Sequence, residues 1–286
     1  MFTSIYIVRK LDAATSKKVS LIVDAIRSKA KDRNMFVLTD KDQCNEKTLV
    51  IAVGGDGTML EALRIAVKHG SAATGVNLGR IGFLTDFSMQ GLDEQSTVAY
   101  GVIAETFDDI FEFAGVYYPI EQRMMLTMHA GSKTAIAGNE VSISRDKSDS
   151  MITYRLRFND VDAGIHRANS ILVSSPMGSS AYSLSAGGAL MMPGIEAMQV
   201  VPVAPLTMTS RPLIVGADVN VEVDVWGGKV AVRADGTEQI ITEVEHDEKH
   251  PYKVVIRAYP KRVKILHNDN WNYFDVLSTK LGWIKE

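Results

Sequence analysis

The chain has 286 residues, 31 Lys plus Arg against 34 Asp plus Glu, 46% hydrophobic residues and a formal net charge of −3. That mixture excludes a disordered chain, offers no basic surface for nucleic acid or anionic lipid, and supplies apolar material for one large or two medium cores. The lone Cys44 excludes an internal disulfide framework and any multi-cysteine metal centre, and no apolar run reaches the roughly 18–20 residues of a membrane span.

At the N-terminus a short apolar stretch is followed by Arg9 and Lys10, the wrong order for a secretory signal, so a cytoplasmic protein is expected. Ile5–Val8 is β-branched and aromatic and predicts a buried strand. Val19, Ile22, Val23, Ile26 and Ala30 then fall on one face of a helix. Met35–Leu38 predicts a second strand, and Leu49–Val53 a third, uniformly apolar as a parallel strand covered on both faces would be. Met59, Ala62, Leu63 and Ala66 return to helical spacing, and Ala73–Asn77 gives a fourth strand. Strands alternating with helices predict a Rossmann-like parallel α/β domain, which binds ligands at the carboxyl ends of its strands.

From about residue 100 the period becomes 2. Ile152, Tyr154, Leu156 and Phe158 alternate with polar residues, as do Val219, Val221, Val223 and Val225, after which Gly227-Gly228 predicts a hairpin turn. Arg123–His129, Thr134–Ile143, Ile171–Ser174, Val230–Arg233 and Tyr252–Tyr259 add strands. This half reads as an antiparallel β-sandwich. The aromatic tail Asp269–Glu286 is expected to dock. Expected domain limits are 1–98 with a returning tail 267–286, and 99–266.

Val50–Glu61 reads as a buried strand, then Gly54, Gly55, Asp56, Gly57 and Thr58, then a helix. Glycines let backbone approach a phosphate, Thr58 suits an N-cap, and the helix presents unpaired N–H groups. No Lys precedes the Thr, so this is no Walker loop, and GxGxxG also fails. Asp56 is a carboxylate inside a turn shaped for anions. It would repel phosphate unless it binds magnesium or takes a proton from a hydroxyl, and both roles belong to phosphoryl transfer. The plain alternative is a Gly-Asp-Gly turn that merely ends a strand.

A constellation extends the reading. The GGDGT of Gly54–Thr58, GVNLGRIGFLTDF at Gly75–Phe87, Asn139-Glu140, SSPMGSSAYSLSAGG at Ser174–Gly188, PVAPLTMTSRPL at Pro202–Leu213, Asp235-Gly236 and the closing NYFDVLSTKLGW together resemble the NAD kinase family. The resemblance runs in order over nearly the whole chain. It implies ATP-dependent phosphorylation of the adenosine ribose 2′-hydroxyl of NAD, with Mg²⁺ or another divalent cation accompanying ATP, and assembly as a homodimer or homotetramer. It also implies that the tail returns to the first domain and that the dinucleotide lies in a cleft between the two.

Carried over residue by residue, the resemblance makes Asp56 the acceptor of the ribose proton, or an organiser of magnesium and phosphate, and gives Gly57 a backbone contact to NAD. Gly54, Gly55 and Thr58 complete that turn. Asn139 and Glu140 match a pair that holds ribose hydroxyls; neighbours in a strand face opposite ways, so a bend at Gly138 is expected. Ser180, Ala181, Tyr182, Ser183 and Ser185 match the segment that packs on the dinucleotide, and Arg167 matches a basic position near it. Arg80 in the GRIGF turn is a further basic candidate.

Three departures stand out: Ala168-Asn169-Ser170 where the family has Ala-Asp-Gly, Pro205-Leu206 for Pro-His, and Met177 in place of a hydroxyl; Thr237 also sits where some members carry Gln. Asn169 still offers an acceptor oxygen, without charge. GGDGT is shared with diacylglycerol-type lipid kinases, and the departures admit a catalytically weak NAD(H)-binding regulator; these are the alternatives. His246 and His250 in HDEKH are read as a polar loop rather than a zinc pair, because Pro251 follows at once and strands surround them.

Overall fold

The structure is a computed structural model and describes residues 2–9, 16–78, 82–85, 87–88, 120–146, 151–244, 247–267 and 271–283. Two compact units divide the chain: Met1–Gln122 with Val263–Glu286, and Arg123–Arg262. The expected boundary at 98/99 lies outside the described residues, as do Arg80 and His246.

The first unit opens with β1 (Ser4–Arg9), α1 (Ser16–Asp32), β2 (Phe36–Leu38), β3 (Thr48–Val53), α2 (Asp56–His69), β4 (Ala72–Asn77), β5 (Phe87–Ser88) and β6 (Ile120–Arg123). The helical spacing did its work: Val19, Ile22, Val23, Ile26 and Ala30 of α1 are all buried. Every residue of β3 and of β4 is buried, as strands covered on both faces must be. Gly70 ends α2 in the left-handed region, φ +73°, where a Cβ is disfavoured, and its N–H donates to the carbonyl of Ala66.

The second unit holds β7 (Leu126–Ala130), β8 (Lys133–Ala137), β9 (Glu140–Arg145), β10 (Ile152–Phe158), β11 (Val161–Ser174), a one-turn helix α3 (Tyr182–Ser185), β12 (Ala197–Pro205), β13 (Leu213–Gly216), β14 (Val221–Trp226), β15 (Gly228–Ala234), β16 (Glu238–Val244) and β17 (Tyr252–Ala258). Its described strands form one antiparallel sheet in the order β16-β15-β9-β11-β10-β14-β17-β7-β8, with β12 on β11 and β13 on β12. The sheet curls so that β7 and β8 come back against β9 and β15. The inward side chains of these strands, among them Leu126, Val141, Ile143, Tyr154, Val173, Val223, Val232 and Ile256, form a single core.

The chain then returns to the first unit with β18 (Val263–Leu266) and α4 (Tyr273–Leu281). β18 lies parallel to β4, completing the order β2-β1-β3-β4-β18-β6, and β5 also pairs with β4. In that segment His267 is buried, hydrogen bonded through Nε2 to Glu121 and stacked on Trp271. Asn272 caps α4 by accepting from the N–H of Phe274. Among the described residues no helix is long and apolar enough to cross a membrane.

Several expectations need correction. The run Arg123–His129 is not one strand: it breaks at the buried Met124-Met125, and its two ends belong to different sheets. Thr134–Ile143 likewise divides, at Gly138-Asn139. Gly227 and Gly228 are both left-handed, as a tight turn requires, yet the strands they join do not pair. β14 sits between β10 and β17, whereas β15 sits between β9 and β16, so the turn carries a crossing rather than a hairpin. The genuine hairpin turns of this kind are Asn159-Asp160 and Asp235-Gly236, each with two positive φ angles. β12 escaped the sequence reading because of its prolines. Pro202 and Pro205 lie beyond the Ala197–Val200 stretch that pairs with β13, where β12 has β11 as its single paired neighbour and a missing N–H costs little.

Candidate active site

The Gly54–Thr58 turn leaves the carboxyl end of β3. On one side of β1 lies β2 and on the other β3, so the strand order reverses there, the place where open α/β sheets receive ligands. Gly55, extended at φ −97° and ψ −168°, is the N-cap of α2. Thr58 is therefore not the cap, as the sequence suggested. It sits inside the first turn, buried, with its side chain folded over Gly54, where a Cβ would stand 2.3 Å from Thr58 Oγ1. Gly55 and Gly57 have open space where a Cβ would be, so backbone there is approachable.

Asp56 is the first residue of α2 and is half-buried. The N–H of Phe83 donates to its Oδ2 at 3.0 Å and the N–H of Leu84 to its Oδ1 at 3.2 Å. These two bonds fix the plane of the carboxylate. Each oxygen keeps a second lone pair, since an ionised carboxylate has about four acceptor sites. The 82–85 loop is itself pinned: Asn77 at the end of β4 donates to Thr85 Oγ1 at 2.9 Å, and the N–H of Gly82 reaches the same hydroxyl at 3.3 Å. Gly82 passes so close that a Cβ would lie 1.8 Å from Asp56 Oδ1. Sequence reasoning missed Asn77, Gly82 and Thr85 as supports, although all lie inside the quoted GVNLGRIGFLTDF segment.

In the second unit the bend before β9 is present. Gly138 is not left-handed there. The bend is instead held by Asp235, whose carboxylate accepts from the N–H groups of Gly138 at 2.8 Å, Asn139 at 2.7 Å and Glu140 at 3.2 Å. The carbonyls of the same bend are held by Ser175, whose N–H donates to Asn139 O at 2.9 Å and whose hydroxyl donates to Gly138 O. Glycine is obligatory at 178 because a Cβ would meet Asn139 O at 2.2 Å. Asn139 and Glu140 are half-buried, and Glu140 Oε2 is buried with no hydrogen-bond partner among the described residues.

Burial, and then the neighbouring Asp235 charge, push the Glu140 carboxyl up to about 7. The folded protein therefore keeps a proton that the unfolded chain releases above its ordinary carboxylate range. Stability should fall as pH rises from about 4.5 to about 7, by roughly 3 kcal/mol. Glu140→Gln, an isostere of the neutral acid, is expected to remove that part of the pH dependence. Urea unfolding at about pH 5 and about pH 8 tests it; an unchanged pH response in the variant would refute the assignment.

The Ser-rich segment forms a 3₁₀ turn, Met177–Ser180, followed by α3. Tyr182 is 46% exposed, Ser185 is exposed, and Ser180 and Ala181 are half-buried. Ser183 differs from the expectation: it is fully buried and its hydroxyl is hydrogen bonded to the side-chain amide of Gln199, so it braces the loop from inside. Arg167 and Asn169 are exposed two residues apart on β11. Of the departures, Met177 is buried, Leu206 is 56% exposed, and its N–H donates to the carbonyl of Arg167. Ala204, just before Pro205, has the strained φ of +45°. His250 is exposed beside Asp247 at 3.5 Å. Among the described residues no group of three His, Cys, Asp or Glu is placed to hold a metal ion.

Comparison with known proteins agrees with this anatomy. Residues 9–100 match the ATP-NAD kinase N-terminal domain and residues 138–265 the ATP-NAD kinase C-terminal domain. The NAD kinase of Nitrosospira multiformis is 32% identical over 275 residues, covering 94% of this chain and 87% of that protein. That of Pectobacterium atrosepticum is 31% identical over 282 residues, covering 95% and 89%. Among solved structures, an Archaeoglobus fulgidus NAD kinase crystallised with ATP superposes with a TM-score of 0.70 at 22% identity, covering 99% of this chain and all of that one. Yeast NADH kinase crystallised with NADH gives 0.77 at 16% identity, covering 100% and 89%. The fold and the matched domains define a kinase built from a parallel α/β unit and an antiparallel β unit. The chain belongs to the NAD kinase family. The lipid-kinase and binding-regulator alternatives are not favoured by these matches.

Proposed function

We propose that this chain carries out its family's reaction, ATP-dependent phosphorylation of NAD to NADP, with Asp56 as the group that activates the acceptor hydroxyl. The adenosine ribose 2′-oxygen bonds to the γ-phosphorus of ATP, the bond to the β,γ-bridging oxygen breaks, ADP leaves, and the hydroxyl proton passes to the Asp56 carboxylate. A secondary alcohol is a weak nucleophile until a base within hydrogen-bond reach takes its proton. The observation that carries this reading is the seating of Asp56: two backbone N–H groups orient the carboxylate at the carboxyl end of β3 while leaving lone pairs available.

The backbone of Gly54, Gly55, Gly57 and Thr58 is assigned to phosphate contact, supported by the open space at Gly55 and Gly57 and by the α2 N-terminus. Asn139 and Glu140 are assigned to ribose hydroxyls. Tyr182, with Ser180, Ala181 and Ser185, is assigned to the dinucleotide's flat surfaces and polar edges, Ser183 acting as a brace, and Arg167 and Asn169 to its phosphate and polar groups. The divalent cation is taken to arrive as MgATP, held chiefly by phosphate oxygens as magnesium usually is. A cytoplasmic homodimer or homotetramer completes the reading; light scattering giving the monomer mass would remove the oligomer from it.

Incubation with NAD, ATP and Mg²⁺ is expected to give NADP, detected with an NADP-specific dehydrogenase. Folded protein that yields no NADP above a blank, with ATP, other triphosphates and polyphosphate each tried on NAD and NADH, would overturn the assignment.

A further inference from the structure

Asp235 organises the bend that carries Asn139 and Glu140. The β9–β15 ladder runs to Ala234 opposite Val141, so the next residue, Asp235, falls opposite Glu140, and the Asp235 N–H donates to the Glu140 carbonyl at 3.0 Å. There the chain turns into β16 with φ +51° at Asp235 and +67° at Gly236, closed by the N–H of Thr237 donating to Ala234 O at 3.1 Å. Asp is among the few L-residues that tolerate this left-handed conformation. The turn aims both carboxylate oxygens back at three consecutive N–H groups, those of Gly138, Asn139 and Glu140. Successive backbone N–H groups form an anion-binding nest. Here the protein fills it with its own charge.

We propose that Asp235 is a positioning residue for NAD: by occupying the Gly138–Glu140 nest it sets the direction of the Asn139 and Glu140 side chains that hold the ribose. The proposal rests on the reading that this pair binds NAD. Three features support it. The bend has no left-handed glycine to hold it, so its shape depends on outside acceptors. Its carbonyl side is fixed by Ser175, whose hydroxyl also accepts from the N–H of Gly178, which ties the bend to the loop of Ser180 and Tyr182. And a neutral amide cannot replace Asp235: Asn has one acceptor oxygen, and its NH₂ would face an N–H donor. Asp235 acts through the backbone, so losing it should affect the dinucleotide rather than ATP.

The test uses the full-length protein with Asp235→Asn, Asn139→Ala, Glu140→Gln and the double variant Asp235→Asn/Glu140→Gln. Expected for Asp235→Asn is a rise of about tenfold or more in KM for NAD, with KM for ATP within about twofold of the parent. The double variant should be no worse than the poorer single one, because both act on one contact. If Asn139→Ala and Glu140→Gln leave NAD binding by calorimetry unchanged, the ribose reading itself fails and takes the proposal with it. If those two weaken NAD binding while Asp235→Asn does not, or raises both KM values alike, the positioning role alone is overturned. Should Asp235→Asn not fold, Asp235→Glu, which keeps both oxygens but shifts them by a methylene, must give the same NAD-selective loss; parent-like KM for NAD would overturn the proposal.

Discussion

Asp56→Asn is expected to lower kcat for NADP formation by about 10²- to 10⁴-fold, the range that a positioned general base supplies. The variant keeps the shape of the side chain and can still accept one of the two N–H bonds from Phe83 and Leu84. Its NH₂ group would face the other donor, at a cost of about 1–3 kcal/mol if that N–H is left unsatisfied. Part of this loss is local, so the folded fraction must be measured beside the rate. The informative quantity is the split between kinetic constants. A proton acceptor acts in the transition state, so kcat and kcat/KM should fall together with KM for NAD little changed. Were Asp56 merely a turn residue, KM or stability would move and kcat would survive. A variant holding more than about a tenth of the parent kcat would remove Asp56 from the chemistry.

Gly82→Ala should be nearly as damaging to activity and far milder to the fold. The added Cβ would lie 1.8 Å from Asp56 Oδ1, a distance that no packing tolerates. What it strikes is the end of a short side chain, not backbone, so the carboxylate can swing away while β3 and α2 stay in place. The expected outcome is a loss of about 10²-fold in kcat, because a displaced catalytic group of this kind costs about that much, with an unfolding midpoint close to the parent's. In an Asp56→Asn background the same substitution should add little, since the group it displaces has already lost its function. Full activity in Gly82→Ala would mean that the carboxylate orientation set by Phe83 and Leu84 is irrelevant to catalysis.

How much of this was legible beforehand differs between the two units. In the first, the 3.6-residue spacing of α1 and the unbroken apolar run of β3 led directly to observed elements, because both patterns record which face is covered. The second unit was recognisable as antiparallel from its period of 2, but its connectivity was not. Gly227-Gly228 carries the chemistry of a hairpin turn and forms a tight turn, yet β14 and β15 choose other partners. Local residues decide that the chain bends. Which strand pairs with which is decided by burying the inner faces of β7 to β17 in one core, to which segments far apart in the chain contribute. The same limit hid β12 and the exposed first half of β11, where prolines and solvent-facing residues blur alternation.

The site divides in the same way. Asp56 could be singled out from residue type and order, since a carboxylate in a glycine turn is chemically conspicuous; the bend at Asn139-Glu140 came from the resemblance to the NAD kinase family. Ser183 could not be told from its neighbours: as a hydroxyl it suits a ligand, and only its complete burial against Gln199 assigns it to bracing. By itself, the sequence determined the two kinds of unit and the turn that bears Asp56, because periodicity and glycine placement are local properties written along the chain, and its ordered series of motifs carried the resemblance to a kinase family. Tertiary structure alone decided that Phe83 and Leu84 orient Asp56, that Gly82 must lack a side chain, and that Asp235 holds a bend 95 to 97 residues earlier in the chain. Those are contacts at a few ångströms between distant residues, and hydrogen-bond strength falls away so steeply with distance and angle that only the folded positions settle them.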